Sequence, residues 1–209
     1  MSVTLLSLKT EKSQGEGVVK AEFSDGSSLV FSIDYLPEGI FSEKDLDFSP
    51  GRELSLEEEG SFGFAAACYR AEKSALRLIA RAEQHSIGLT AKLERRGYEA
   101  AVVRTVVSRF LDRNLLDDRR YSERWIQSRL KQRKLISPLG LLAGLRKRGI
   151  GKDSAGNALN EVVDPETEYT LLLKYLDKAP QGKNTLPLRV QLKREGFSSA
   201  VIDRYFDEI

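Results

Sequence analysis

Scarcity sets the first limits on this 209-residue chain. It has one cysteine, Cys68, which excludes an internal disulfide framework. It has one histidine, His85, so no zinc site of the Cys and His kind can be assembled within it. No apolar run approaches the roughly 20 residues needed to cross a bilayer. The start, Met1-Ser2-Val3-Thr4-Leu5-Leu6, lacks the basic and long apolar stretches of a secretion signal. Neither common phosphate-cradling glycine loop is present. These absences predict a cytoplasmic protein without membrane contact, metal or cofactor, and with no catalytic residues.

What is present is charge, unevenly placed. The net charge of +2 conceals a division. Residues 1–68 hold 5 Lys and Arg against 13 Asp and Glu, whereas residues 69–150 hold 20 basic side chains against 8 acidic ones. The middle of the chain is therefore expected to face a polyanion or an acidic protein surface. Residues 1–48 read as a β-rich segment. Val3–Leu8, Gly17–Phe23 and Ser28–Ile33 are short and rich in β-branched or aromatic residues, separated by Ser13-Gln14-Gly15 and by a hairpin signal at Asp25-Gly26. Residues 49–68 read as a linker. It breaks at Ser49-Pro50-Gly51 and carries a short helix opened by a capping box, Ser55 with Glu58, and weakened by Gly60 and Gly63.

From about residue 69 the chain is helical and repeats itself three times. The anchors are Gly97, Gly149 and Gly196. Four residues before each stands Leu93, Leu145 or Leu192, and eight before stands Leu89, Leu141 or Leu188. Directly after come Tyr98, Ile150 and Phe197. The following helix is apolar at Val103, Val106, Val107 and Phe110, at Ala155, Ala158, Leu159 and Val162, and at Ile202, Tyr205, Phe206 and Ile209. A glycine that stops a helix in the left-handed conformation, with a hydrophobe folded back over the helix end, explains the columns. Leading helices over about 69–84, 119–134 and 166–178 complete repeats at 69–114, 115–163 and 164–209, with Pro138, Pro165 and Pro187 near helix starts. The expected fold is mainly α, three tandem three-helix repeats in an elongated array behind the small β-rich segment.

Candidate chemistry is thin. His85 reads as a helix cap or solvated side chain, and Cys68 as a small packing residue. Asp117 and Asp118, the pair a metal-dependent hydrolase would need, stand where carboxylates cap their own helix. Tyr121 and Trp125, four residues apart on one helix, read as core rather than a base-stacking platform. Basic residues cluster instead at the turns before the glycines (Arg95, Arg96; Arg146, Lys147, Arg148; Lys193, Arg194) and on the second leading helix (Arg119, Arg120, Arg124, Arg129, Lys131, Arg133, Lys134). They are the candidate binding surface, and a regular stack would set the turns in a row along one edge.

Leu116-Asp117-Asp118-Arg119-Arg120-Tyr121-Ser122-Glu123-Arg124-Trp125-Ile126, with Arg129 one turn on, resembles the central signature of the RecX family of RecA regulators. The segment from Ser86 through Leu89 and Leu93 to Gly97 resembles that family's first repeat, and Ser49–Leu54 its lead-in. The chain departs from the pattern at Ile87-Gly88, where an acidic residue is usual, and at Ser122, where alanine is usual. The resemblance covers roughly residues 49–209. It implies a monomer that binds the RecA filament and single- and double-stranded DNA, and that inhibits RecA's ATPase, strand exchange and coprotease activities, with Asp117, Asp118, Tyr121 and Trp125 chiefly structural. A general DNA-binding helical repeat protein acting without RecA remains the alternative.

Overall fold

The computed structural model describes residues 4–10, 17–37, 51–132, 136–178 and 187–208. The chain divides into two compact units, Met1–Glu83 with Leu89–Leu115, and Gln84–Gly88 with Leu116–Ile209.

The first unit carries an antiparallel sheet of order β3-β2-β1-β4, from β1 (Thr4–Thr10), β2 (Val18–Phe23), β3 (Ser28–Ser32) and β4 (Arg52–Glu53). The Asp25-Gly26 turn joins β2 to β3, with Gly26 at φ 81° and the Asp25 carboxylate accepting from the Ser27 N–H. Ile33 lies in a 3-10 turn, Ile33–Tyr35, instead of ending β3. Val3, Ser13-Gln14-Gly15 and Ser49-Pro50 fall outside the described residues. β4 was not expected. Its two residues pair with Thr4 and Leu5, a long-range contact that no local pattern announces.

The short helix and the first leading helix are one helix, α1 (Leu56–Arg81). Its capping box is formed, with Ser55 and Glu58 exchanging hydrogen bonds of 2.8 and 3.2 Å. Two interior glycines cost about 1 kcal/mol each. Burial outweighs them: Phe62, Ala65, Ala66 and Cys68 are fully buried, and the Phe62 ring packs on Phe31 and Phe23 of the sheet at 5.2 and 6.3 Å. Burying one such ring contributes roughly 1.5–3 kcal/mol. Gly60 and Gly63 sit on the exposed side. α3 (Ala100–Asp112) packs beside α1, and its Arg109 and the C-cap residue Arg113 both bind the Asp34 carboxylate, so part of the N-terminal acidity is neutralised internally.

The second unit contains α4 (Asp118–Leu130), α5 (Pro138–Arg146), α6 (Lys152–Val162), α7 (Pro165–Lys178), α8 (Leu188–Arg194) and α9 (Ser199–Asp207). Its core joins Ile126, Leu141, Leu145, Ala155, Leu172, Leu192 and Ile202. α2 (Ser86–Glu94) has its first residues in this unit and buries Leu89 and Leu93 in the other.

The repeat is visible in the backbone. Gly97, Gly149 and Gly196 have φ of 86°, 85° and 88°. Each glycine N–H donates to the carbonyl three residues back, at 2.9, 2.9 and 3.1 Å. The N–H of Tyr98, Ile150 and Phe197 donates to the carbonyl of Leu93, Leu145 and Leu192, at 3.4, 3.2 and 3.1 Å. This is the same left-handed helix stop three times. Pro138 and Pro165 open α5 and α7, and Pro187 is the N-cap of α8.

The glycines do a second job. A Cβ at Gly149 would stand 2.7 Å from the Ile87 Cδ1, and one at Gly196 would stand 3.0 Å from the Leu139 backbone nitrogen. Ile87 and Leu139 both lie ten residues before the glycine of their own repeat, so each repeat sets the same residue onto the next repeat's helix stop. The Leu139 N–H also donates to the Glu195 carbonyl at 2.9 Å, satisfying one of the orphan carbonyls at a helix end. At Gly97, where no repeat precedes, nothing lies within 4 Å of that position.

Candidate partner-binding surface

The residue just before each glycine is not free surface. Arg96 turns back onto α1 and donates to the Ser74 hydroxyl and carbonyl. Arg148 turns onto α4, its guanidinium 4.7 Å from the Trp125 ring centroid and one N–H 2.8 Å from the Gly144 carbonyl. In the third repeat the position is Glu195, whose carboxylate accepts from the Ser137 hydroxyl at 2.6 Å. One place before Arg96, the Arg95 guanidinium folds onto the Ala91 carbonyl.

Arg146, Lys147, Lys193 and Arg194 are exposed and make no ion pair or side-chain hydrogen bond with any described residue. They occupy the same two positions, three and two residues before the glycine, in the second and third repeats. On α4, Arg119 is bound to Glu123 and Glu161, which with their charges raise its pKa further, and Arg120 and Arg124 also have partners. Arg129 lies 5.0 Å from the Trp125 centroid and donates to Gln132. Lys131 is exposed, while Arg133 and Lys134 fall outside the described residues.

The Asp117–Trp125 segment builds the start of the second repeat. Asp117 is the N-cap of α4, its side chain accepting from the Arg120 N–H at 2.9 Å. Asp118 does something different from capping its own helix. It accepts the Ser86 N–H at 2.7 Å and the Ser86 hydroxyl at 2.6 Å, tying down the N-terminus of α2. The signal for this was the spacing of 32 residues between two polar groups, which no local rule reads. Tyr121 lies against His85 at 4.6 Å. His85 is itself a cap: its Nδ1 accepts from the Gly88 N–H at 3.1 Å, as Ser137 does for Gly140 in the next repeat. The unusual Gly88 leaves room for the imidazole, since a Cβ there would meet the ring. Ser122, where alanine is usual, is fully buried and satisfies its hydroxyl on the Asp118 carbonyl at 2.7 Å.

Trp125 forms one wall of a cavity of about 410 Å³, together with Arg129, Leu141, Arg148, Tyr175 and Glu195. Gly144 is required there, because a Cβ would collide with the indole. Burial first, and Glu195 next, raise the Tyr175 pKa. Sequence reasoning selected Arg129, Trp125 and Arg148 separately. It missed that they converge, and it missed Gly144, Tyr175 and Glu195. Cys68 is fully buried, as expected of a packing residue; burial and then Glu72 push its thiol up to about 11. Among the described residues no cluster of three metal-ligating side chains occurs, and no helix is long and apolar enough to cross a membrane.

Regulatory protein RecX of Treponema pallidum (strain Nichols) is 35% identical to the chain over 149 residues, which cover 71% of it and 90% of the relative. Regulatory protein RecX of Thermobifida fusca is 32% identical over 146 residues, 66% of the chain and 78% of the relative. A crystal structure of regulatory protein RecX superposes with a TM-score of 0.69 at 18% identity, covering 98% of this chain and 99% of that one. RecX from Lactobacillus salivarius gives 0.55 at 17% identity, covering 68% and 96%. These two likenesses establish the fold. No family model matches the chain.

Proposed function

This chain belongs to the RecX family, and from that premise we propose that it regulates RecA by binding the RecA–DNA filament and suppressing its ATPase, strand exchange and coprotease activities, without catalysis of its own. The observation that supports a binding role is the recurrence, at two equivalent positions, of exposed cations with no side-chain partner among the described residues, Arg146-Lys147 and Lys193-Arg194. Arg96 and Arg119 find partners within the fold; these four find none among the described residues. Matched positions in successive repeats suit a target that is itself repetitive, such as a phosphate backbone or the subunits of a filament.

The test is RecA's ATPase on single-stranded DNA, titrated with this protein beside a bare-DNA binding assay at the same salt. Inhibition is expected well below the concentrations that coat bare DNA. Replacing Arg146, Lys147, Lys193 and Arg194 together by alanine should abolish it with thermal stability unchanged. If ATPase falls only where the protein already covers the DNA, the protein is a general DNA binder and the proposal fails. Full inhibition by the four-alanine variant would instead remove these cations from the interface.

A further inference from the structure

We propose that the Trp125 cavity is a receptor for an acidic side chain of a protein segment. The inference does not depend on which protein supplies it. Two guanidinium groups, Arg129 and Arg148, lie 5.0 and 4.7 Å from the centroid of one indole ring, so the two charges are at most about 10 Å apart. Their polar partners are neutral: the Gln132 side-chain oxygen at 2.9 Å and the Gly144 carbonyl at 2.8 Å. Neither makes an ion pair with a described residue. Each guanidinium carries five N–H donors, so most of their capacity is unused.

The carboxylate that lines the cavity does not serve them. Glu195 accepts from the Ser137 hydroxyl at 2.6 Å and stands beside the Tyr175 hydroxyl. Two like charges held on one partly buried ring, without an ion-pair partner among the described residues, repel each other. One added carboxylate reverses that term and can take the planar fork of either arginine in bidentate fashion. Leu141, Ile136 and Tyr175 supply an apolar wall for the stem of such a side chain or for its neighbour.

The same features disfavour a nucleic-acid strand. Glu195 repels a run of phosphates, and a base stacking on the indole would compete with the two guanidinium groups that already lie over it. The cavity, at about 410 Å³, admits a side chain and its neighbour, not a continuous backbone.

Trp125 is the sole tryptophan of the chain, so its emission reports on this cavity alone. The full chain is titrated with a blocked hexapeptide of alternating leucine and glutamate, with the same peptide carrying glutamine for glutamate, and with a thymidine oligonucleotide. The glutamate peptide is expected to change the emission saturably, and the glutamine peptide to have no effect. Arg129→Gln and Arg148→Gln should each weaken binding by about tenfold or more, the loss of a charge-assisted hydrogen bond. Glu195→Gln acts in the opposite sense, tightening binding, and so separates a lost contact from a lost fold. Three outcomes overturn the proposal: equal responses to both peptides, no response at millimolar peptide, or saturation by the oligonucleotide at lower concentration than by the glutamate peptide.

Discussion

Alanine at the three helix-stop glycines gives three different penalties, because the backbone demand is the same and the surroundings are not. All three need φ near 86°, a conformation that costs an L-residue about 1–2 kcal/mol. At Gly97 that is the whole cost, since the space beside it is open. At Gly149 the new methyl would approach the Ile87 Cδ1, Cγ2 and Cβ at 2.7, 3.0 and 3.3 Å. The Cδ1 can rotate away but the Cβ cannot, and overpacking of this kind adds about 1–3 kcal/mol. At Gly196 the obstacle is the Leu139 backbone nitrogen at 3.0 Å, the donor to the Glu195 carbonyl, so that hydrogen bond is strained as well. Gly97→Ala is therefore expected to cost about 1–2 kcal/mol and the other two about 2–5 kcal/mol. Urea unfolding reads the difference, followed by Trp125 emission for Gly149→Ala and Gly196→Ala and by circular dichroism for Gly97→Ala. Trimming Ile87 to alanine in the Gly149→Ala background should recover part of the loss, a positive coupling in the double-mutant cycle. Equal costs at Gly97 and Gly149, or no recovery with Ile87→Ala, would refute the idea that the glycine serves the junction between repeats.

Gly144→Ala reverses an ordinary rule. In an open helix position the change would stabilise by about 1 kcal/mol, yet here it should destabilise and shift Trp125 emission, because the methyl enters the indole's space. Asp118→Asn weakens the two bonds to Ser86 and should cost about 1–3 kcal/mol; hydrogen exchange at the Ser86 amide would rise, and an unchanged rate would show the pair to be incidental. In the third repeat, the Thr167 N–H lowers the Asp164 pKa, and Tyr169 and then Arg204 lower that of Glu208. Depressed carboxylates contribute stability above their unfolded value and lose it as pH falls through the folded one. Carbon-detected titration should therefore place each midpoint below that of the same residue in the unfolded chain, with α7 and α9 loosening as pH falls through it. Cys68, with its thiol pushed up to about 11, should resist alkylation at mildly alkaline pH until the first unit unfolds.

The repeat was legible because its determinants are local: a leucine pair, a glycine and a following hydrophobe close a helix wherever they occur, and three copies exclude coincidence. The capping box at Ser55 and the cap at Asp117 were legible for the same reason. What escaped was set by distant partners. Gly60 and Gly63 argue against a long helix until Phe62 is known to lie on the sheet. Asp118 reads as a cap for its own helix until Ser86 is seen across 32 residues. The basic turns read as one class, whereas the fold divides them: Arg96 and Arg148 brace leading helices, and Arg146, Lys147, Lys193 and Arg194 face solvent. The column of Ile87 and Leu139, ten before each glycine, was present in the sequence, but its meaning lies in the neighbouring repeat.

That column also determines how such a chain can grow. Ile87 meets Gly149 and Leu139 meets Gly196, equivalent positions brought together twice, with the contacting residue always one repeat ahead of the glycine along the chain. A tandem duplication of residues 115–163 would present Leu139 of the first copy to Gly149 of the second, a pairing of the same kind as the two already formed. Length can thus change by whole repeats without inventing a new joint, while a deletion that leaves a fraction of a repeat strands one half of a joint. A family built on this joint is free to vary its reach along a partner in steps of one repeat and is barred from the steps between.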